Sequence, residues 1–331
     1  MADIQEKTPG TSGPHGSGAS RDARVYRRAT RLPGITEALA AVEGTPLSVR
    51  ERLWNGTEGR RSRDELQARE NFPVATRLLP ARYRAQLLDV YGYARLVDDI
   101  GDEAPPAERT GLLDLVERDL DRIYAGTRPE LPAMRDLART VTACAIPADP
   151  FRRLLLANRR DQEVTRYATF GDLLGYCALS ADPVGHIVLH VFGAATPDRI
   201  ALSDRICSAL QIIEHCQDAG EDHRNGRIYL PGEDLRRFGC PEDDLAAAAT
   251  PTRLRGVLAL QAGRAARLLD EGAALTGRLT GFARIAVAGY VAGGRAALAA
   301  LERDAYDVLA GPSRPRKTRL LAEWPRTLCR R

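Results

Sequence analysis

Apolar residues that recur every three or four positions constrain the fold of this chain more than any other feature of its sequence. Such spacing places side chains on one face of an α-helix. It is clear at Leu113, Val116, Leu120 and Ile123, and over a longer span at Leu254, Leu258, Ala265, Leu268, Gly272, Leu275 and Leu279. The period of two that is typical of strands is not visible in the sequence. The pattern therefore predicts an all-α fold.

Composition divides the chain into four segments. Residues 1–30 are rich in Gly, Ser, Pro and charge, which predicts disorder because little apolar surface is available for burial. Residues 31–62 are ambiguous between a short helix and a loop. Residues 63–311 are expected to form a single helical domain, and residues 312–331 a frayed, basic C-terminal tail. No repeat of fixed period is visible, so a solenoid is disfavoured.

The charge balance is nearly even. Lys and Arg number 48 against 44 Asp and Glu, a net charge of +4, which is too small to predict binding of nucleic acid. A basic cluster at the C-terminus contains Arg314, Arg316, Lys317, Arg319, Arg326, Arg330 and Arg331. Such a cluster either keeps a chain end exposed to solvent or contacts anionic lipid headgroups. Both interpretations stay open.

Cysteine usage and hydropathy bear on the compartment. The six cysteines are scattered and lack the paired spacing of a zinc site. No charged-then-apolar leader is visible, and the most apolar segment, 285–301, is interrupted by Gly293, Gly294 and Arg295, which makes it too short to span a bilayer. We expect a cytoplasmic protein, with peripheral contact at the inner membrane face left open.

The first chemical feature is the acidic segment 98–103, Asp-Asp-Ile-Gly-Asp-Glu, at the end of an apolar helical run. On a helix, Asp98 and Asp102 lie four positions apart, and Asp99 lies three positions before Asp102. Like charges at this spacing repel each other and weaken the helix. Their presence beside an apolar face predicts a compensating cation.

A second acidic stripe occurs in the segment 211–222. Glu214, Asp218 and then Glu221 or Asp222 follow at intervals of three and four positions. Two such stripes that face each other would form a pocket of carboxylate oxygens, the ligands that Mg²⁺ prefers together with water and phosphate. The alternative is that both stripes are solvated faces of a non-catalytic helical scaffold.

Three segments in this order resemble the motifs of the squalene/phytoene synthase family. The segment 91–102 is similar to the first aspartate-rich motif, and the segment 218–231 is similar to the second. Between them, Tyr176 through Asp182-Pro183-Val184-Gly185 resembles the tyrosine-containing segment of the family. The resemblance covers about residues 65–310. It implies a single-domain isoprenoid synthase, a helical bundle around a central cavity.

The resemblance also implies roles for individual residues. Asp98, Asp102, Asp218 and Asp222 would bind Mg²⁺, with Asp99 as a weaker candidate. Glu214 stands where many relatives have asparagine, and its carboxylate still offers oxygen to a metal. Arg95 matches a diphosphate-contacting arginine, Tyr91 and Tyr176 match catalytic pocket tyrosines, and Gln211 matches a polar residue that binds substrate.

The segment 70–75, Glu-Asn-Phe-Pro-Val-Ala, is similar to the hydroxysqualene synthase branch of the bacterial hopanoid pathway. This branch converts presqualene diphosphate and water into hydroxysqualene and diphosphate. Phe72 would then contact the substrate, and the apolar lining would come from Phe72, Tyr91, Tyr93, Tyr176 and Leu179, with at most one of Tyr91 and Tyr93 facing the pocket. No Gly-rich nucleotide motif follows a strand, so NADPH is not expected. Condensation of two farnesyl or geranylgeranyl diphosphates remains the alternative within the family.

Overall fold

The computed structural model describes residues 79–311 and 313–329, all of which belong to one compact unit. The predictions for residues 1–30 and 31–62 fall outside this part of the chain, as does Phe72. Within the described ranges the structure is helical, and its only β feature is a single bridge between Arg166 and Ile228. The prediction of an all-α fold is confirmed.

We number the helices of the described residues in chain order. They are α1 (Ala81–Glu103), α2 (Pro106–Tyr124), α3 (Pro132–Cys144), α4 (Ala148–Arg160), α5 (Phe170–Ser180), α6 (Asp182–Val191), α7 (Pro197–Gln217), α8 (Ala219–Arg224), α9 (Gly232–Arg237), α10 (Thr252–Gly272), α11 (Leu275–Arg278), α12 (Gly281–Arg303) and α13 (Lys317–Cys329). A 3₁₀ turn at Glu242–Ala246 precedes α10.

Helix α7 lies at the centre of the bundle. It packs against α6, α10 and α12, and its buried residues lie around most of its circumference, as expected for a helix enclosed by others. Gly272 lets α10 approach α7 closely, because a Cβ there would lie 2.8 Å from the carbonyl oxygen of Leu202 and 2.6 Å from the Ile206 side chain. This contact anchors the first half of α7, and the later turns of the helix carry Gln211 and Glu214 to the cavity.

Helix α1 brings the first acidic motif to the same interior. One face buries Leu87, Val90, Val97 and Ile100 and packs against α3 and α4. Asp98 and Asp102 are both accessible to solvent. The burial of the apolar face therefore fixes the direction in which these two carboxylates point.

Helix α5 begins with a capping box. The Thr169 side chain accepts a hydrogen bond from the Asp172 backbone N–H at 3.1 Å, and the Asp172 carboxylate accepts one from the Thr169 backbone N–H at 2.9 Å. These reciprocal bonds satisfy N–H groups that have no partner within the helix. The helix start is fixed, and Tyr176 follows two turns later.

Helix α12 contains the apolar segment 285–301 but is longer than that segment. By length and hydropathy alone it is the one described helix that could cross a bilayer, and 67% of its most apolar window is buried inside the protein. Its contacts with α7, α10 and α13 are those of a core helix.

The prediction of a frayed C-terminal tail is wrong for residues 317–329, which form α13. The Trp324 indole N–H donates to the Ile285 carbonyl at 3.0 Å, and its ring covers Gly289 of α12. Arg295 donates to the Thr327 hydroxyl at 3.0 Å. Charge dominates the sequence of this segment, whereas its docking depends on one aromatic side chain and on the absence of a side chain at Gly289.

Trp324→Ala should therefore destabilise the protein. The substitution removes a partly buried indole and its hydrogen bond, and we expect the free energy of unfolding to fall by about 2 kcal/mol. Urea unfolding followed by circular dichroism measures this change. Leu321→Ala on the same helix is the control, because Leu321 is 67% exposed and its loss should cost less than about 0.5 kcal/mol. Equal effects of the two substitutions would contradict the docking of α13 through Trp324.

Candidate active site

A cavity of about 290 Å³ opens between α1, α4, α5, α7 and α8. Among the described residues its wall is mostly polar. It is lined by Arg95, Asp98, Asp102, Leu154, Ala157, Asn158, Asp161, Tyr176, Ser180, Gln211, Glu214, His215, Asp218, Asp222, Arg227 and Tyr229. Six of these side chains are carboxylates and two are guanidinium groups, so the wall carries an excess of negative charge.

The carboxylates of the first motif are each held by one neighbour. The Asn158 amide of α4 donates to Asp98 Oδ1 at 3.0 Å, and Arg227 Nη1 donates to Asp102 Oδ1 at 2.8 Å. Gly101 permits the first contact, because a Cβ there would lie 2.2 Å from Asn158 Oδ1. The glycine inside the acidic motif thus lets α4 approach α1 closely enough for Asn158 to reach Asp98.

The second stripe does not lie on one continuous helix. Helix α7 ends at Gln217, Asp218 has φ −100° and ψ 9°, and α8 begins at Ala219. Glu214, Asp218 and Asp222 still line the cavity because the i to i+4 backbone bonds continue across the break, from Asp218 N to Glu214 O at 2.9 Å and from Asp222 N to Asp218 O at 2.8 Å. Glu221 is exposed and does not line it.

Both stripes contain carboxylates that resist ionisation. Burial, and to a lesser degree the nearby Asp102, raises the pKa of Asp98 to about 6, although the Asn158 hydrogen bond works in the opposite direction. Burial together with the charges of Asp222 and Glu221 raises the pKa of Asp218 to about 6. The Asp98 carboxylate is open to water inside the cavity, yet protein surrounds it on the other sides. The local charge is therefore poorly compensated by the protein itself.

This donor set fits a magnesium site in its chemistry. Hard carboxylate oxygens from α1 and from the α7–α8 segment face one cavity, as Mg²⁺ requires. In the part of the chain that the structure describes, no three carboxylate, imidazole or thiolate groups are close enough to enclose one ion. Mg²⁺ characteristically completes its shell with water and phosphate oxygens rather than with protein ligands alone, and the openness of this cavity leaves room for both.

Four residues that the sequence predicted for the site do not line the cavity. Asp99 is buried and its Oδ1 pairs with Arg95 Nε at 2.9 Å, so it orients the arginine and does not line the cavity. Tyr91 and Leu179 are not among the lining residues described above. Tyr93 was a candidate lining residue and is a core residue: its hydroxyl donates to the Phe151 carbonyl at 2.9 Å and its ring meets the Phe151 ring edge-on.

One wall of the cavity is aromatic. The rings of Tyr176, Tyr167 and Tyr229 pack against one another, with centroids 5.3 to 5.7 Å apart. Tyr229 also stacks on His215, with ring centroids 3.8 Å apart and ring planes 12° apart. The His215 ring is also within 3.3 Å of the Gln211 amide. These π faces can stabilise positive charge that develops in the cavity.

Eight lining residues have no role in the sequence analysis. Five of them carry charged, amide or aromatic side chains: Asn158, Asp161, His215, Arg227 and Tyr229. Arg227, Tyr229 and His215 lie within or beside the second motif, so their position in the sequence could have marked them as candidate site residues. Asn158 and Asp161 lie at the end of α4, far in sequence from either motif. Only the packing of α4 against α1 and α5 brings them to the cavity.

Comparison with known proteins gives the family. The profile of the squalene/phytoene synthase family matches residues 66–321. The chain belongs to the squalene/phytoene synthase family. Its members process prenyl diphosphates, which agrees with the acidic motifs that face each other across this cavity.

Individual relatives share 34% to 38% sequence identity with this chain. The chain is 35% identical to a hydroxysqualene synthase of Sinorhizobium fredii over 223 residues, which cover 66% of this chain and 74% of that protein. It is 34% identical to a phytoene synthase of Mycobacterium tuberculosis over 203 residues, 60% of this chain and 66% of that protein. The crystal structure of squalene synthase HpnC from Alicyclobacillus acidocaldarius is similar with a TM-score of 0.69 and 38% identity, covering 81% of this chain and 99% of that one.

Removal of one cavity charge should stabilise the protein when divalent cations are absent. Because the pKa of Asp218 rises from 3.8 to about 6, the folded state binds this proton more tightly than the unfolded state does. Stability is therefore lost as the pH rises through this interval. We expect Asp218→Asn to raise the free energy of unfolding at pH 8 in EDTA by about 1–2 kcal/mol. This value is smaller than the full pKa shift implies, because solvent that reaches the carboxylate screens its charge.

Urea unfolding at several pH values measures this effect. The gain should shrink as the pH falls from 6 through 3.8, because the wild-type carboxyl is mostly protonated in both states below that range. Asp102→Asn is the matched control, because it removes an ion pair with Arg227 and should give no such gain. A destabilised Asp218→Asn protein at pH 8 would show that this charge is compensated after all.

Proposed function

We propose that this protein is a magnesium-dependent hydroxysqualene synthase. In this reaction the bond between carbon and the diphosphate oxygen of presqualene diphosphate breaks, and both electrons leave with diphosphate. Water then bonds to the resulting carbocation and loses a proton, which gives hydroxysqualene. The observation that carries the proposal is the pair of acidic stripes on α1 and α7–α8 that line one cavity. The relatives named hydroxysqualene synthase support the choice of product.

Binding of the anionic substrate depends on charge. Asp98 and Asp102 on one side, and Glu214, Asp218 and Asp222 on the other, are the residues that would hold magnesium. The metal, when bound, supplies positive charge against which a diphosphate can bind and leave. Without it, the six carboxylates would repel the substrate, since only Arg95 and Arg227 among the described lining residues carry a full positive charge.

The protein's own groups position the substrate and protect the cation. Arg95, which Asp99 holds from behind at 2.9 Å, faces the cavity and can donate to diphosphate oxygens. The rings of Tyr176, Tyr229 and His215 form an aromatic surface that stabilises the carbocation. Burial raises the pKa of Tyr176 well above its ordinary value, so its hydroxyl stays protonated and does not add to the carbocation as a phenolate.

No reductant is needed for this chemistry, because water supplies the oxygen and no hydride is transferred. The purified protein with Mg²⁺ should therefore convert presqualene diphosphate to an alcohol with or without NADPH. Gas chromatography–mass spectrometry of the C30 products measures this. A hydrocarbon as the main product, formed only with NADPH, would contradict hydroxysqualene synthesis and indicate a complete squalene synthase.

The phytoene synthase relatives favour one second candidate, the condensation of two farnesyl or geranylgeranyl diphosphates. The same assay separates the two activities when farnesyl or geranylgeranyl diphosphate is the only substrate. The hydroxysqualene synthase should form no C30 or C40 diphosphate or hydrocarbon from either, whereas a condensing enzyme should form a C30 product from the first or a C40 product from the second.

Magnesium and pyrophosphate together should raise the melting temperature by a few degrees, because both bind the folded state alone. Asp98→Asn and Asp218→Asn should abolish most of this shift. Asp121→Asn is the control, since Asp121 is an exposed residue of α2 that pairs with Arg152. If neither ligand changes the melting temperature of the wild type, the acidic stripes are solvated faces of a non-catalytic scaffold.

We also propose that the protein acts in the cytoplasm, at the inner face of the membrane in which its C30 substrate dissolves. The basic residues around α13 support this location, since each Lys or Arg near an anionic bilayer contributes about 1 kcal/mol.

A further inference from the structure

Asp161 is a cavity carboxylate that belongs to neither acidic motif. It follows the last residue of α4 and caps that helix, and it lines the same cavity as the two stripes. Its Oδ2 accepts a hydrogen bond of 2.6 Å from the Tyr176 hydroxyl, and its Oδ1 lies 3.5 Å from the Tyr229 hydroxyl. The short bond makes Tyr176 the principal partner of Asp161.

The direction of this bond decides what Tyr176 offers to the cavity. An ionised carboxylate can only accept hydrogen bonds, and a phenol has a single proton to donate. The Tyr176 proton is therefore committed to Asp161 in a charge-assisted bond. The Tyr229 hydroxyl also interacts with the Tyr176 hydroxyl. With its proton on Asp161, the Tyr176 oxygen can act toward any further partner in the cavity only as an acceptor.

The position of this oxygen is fixed as well as its polarity. Tyr176 is 5% exposed, and its ring packs against Tyr167 and Tyr229, which also stack on each other. Rotation of the hydroxyl is restrained by Asp161. A water molecule near this oxygen would have to turn one of its hydrogens toward Tyr176.

Such an orientation is the one that capture of a carbocation requires. Water attacks through an oxygen lone pair, so its hydrogens must point away from the carbon. If Tyr176 accepts one hydrogen, the lone pair of the water is directed into the cavity. The oxonium that forms then loses its proton to the Tyr176 oxygen as the Tyr176 proton moves to Asp161, and the carboxylate takes up the one proton that hydration releases.

We propose that Asp161 is a positioning residue for water capture, which holds the Tyr176 hydroxyl as an acceptor toward the cavity and receives the proton through it. The inference rests on the proposed hydroxysqualene synthesis. It assigns the hydration step to the Asp161–Tyr176 pair and leaves ionisation of the diphosphate to the two acidic stripes.

The surroundings of Asp161 suit a proton acceptor near neutral pH. Burial raises the pKa of Asp161 to about 6, while the Tyr176 hydrogen bond and Arg227 oppose the rise and Asp102 adds to it. The carboxylate is then mainly ionised at pH 7 and still basic enough to accept a proton, which is the range in which general bases are most effective.

The test separates ionisation of the substrate from the fate of the cation. Presqualene diphosphate is turned over with Mg²⁺ by the wild type and by Asp161→Leu, Asp161→Asn and Tyr176→Phe. Diphosphate release and the fraction of alcohol among the C30 products are both measured. We expect the Leu variant to lower the ratio of alcohol to elimination hydrocarbons by about tenfold or more, with a smaller fall in diphosphate release.

The other variants refine the expectation. Asp161→Asn should lower the ratio less than Asp161→Leu, because its amide oxygen can still accept the Tyr176 proton but cannot take it up. Tyr176→Phe should resemble Asp161→Leu, and the double variant should be no worse than either single variant, since both remove the same interaction. Asp121→Asn is the control for an unrelated carboxylate. Should Asp161→Leu fail to fold, Asp161→Asn and Tyr176→Phe still decide the question.

Two results would overturn the inference alone. One is an unchanged alcohol fraction in the Asp161 variants. The other is a raised Mg²⁺ requirement and slower diphosphate release at an unchanged alcohol fraction, which would assign Asp161 to the diphosphate site. If the wild type releases diphosphate and forms no alcohol, the proposed function itself fails and this inference fails with it.

Discussion

Repulsion among carboxylates is the constraint on which the rest of this structure depends. Six carboxylates and two guanidinium groups line the described wall of one cavity, and burial keeps the pKa values of Asp98, Asp161 and Asp218 near 6. A folded protein tolerates this charge only because the surrounding helices bury enough apolar surface to offset it. Under the proposed function, the same repulsion would make the site selective, because an anionic diphosphate would bind only together with cations.

The scaffold around this cavity is built to hold unfavourable groups in place. Helix α7 is enclosed by other helices and packed closely at Gly272, so Glu214 cannot move away from its acidic neighbours. Gly101 lets Asn158 reach Asp98, and Arg227 restrains Asp102. Tyr176, Tyr229 and His215 line the same cavity, and His215 Nδ1 lies 3.8 Å from Asp222 Oδ2 of the second stripe. In the proposed reaction, the charges that bind the leaving group and the rings that stabilise the cation would therefore lie next to each other.

The sequence was informative where local chemistry is periodic and failed where contacts are long-range. Asp99 occupies a motif position like that of Asp98, but one residue on a helix is a rotation of about 100°, and burial turns Asp99 toward Arg95. Tyr93 shares a motif with Tyr91, yet its hydroxyl donates to the backbone carbonyl of Phe151, a residue of α4 that is far away in sequence. The basic segment 317–329 is a docked helix because Trp324 meets Gly289, a contact that charge counting does not reveal.

The sequence by itself determined the helical class, the two acidic stripes and their resemblance to one enzyme family, because helical spacing and motif order are properties of neighbouring residues. Only the tertiary structure decided that the stripes share a cavity, that the second is interrupted at Asp218, and that Asp161 binds the Tyr176 hydroxyl. These features depend on how α4, α5 and α7 pack together. The packing follows from the fit of many side chains at once, and no single segment of the chain contains it.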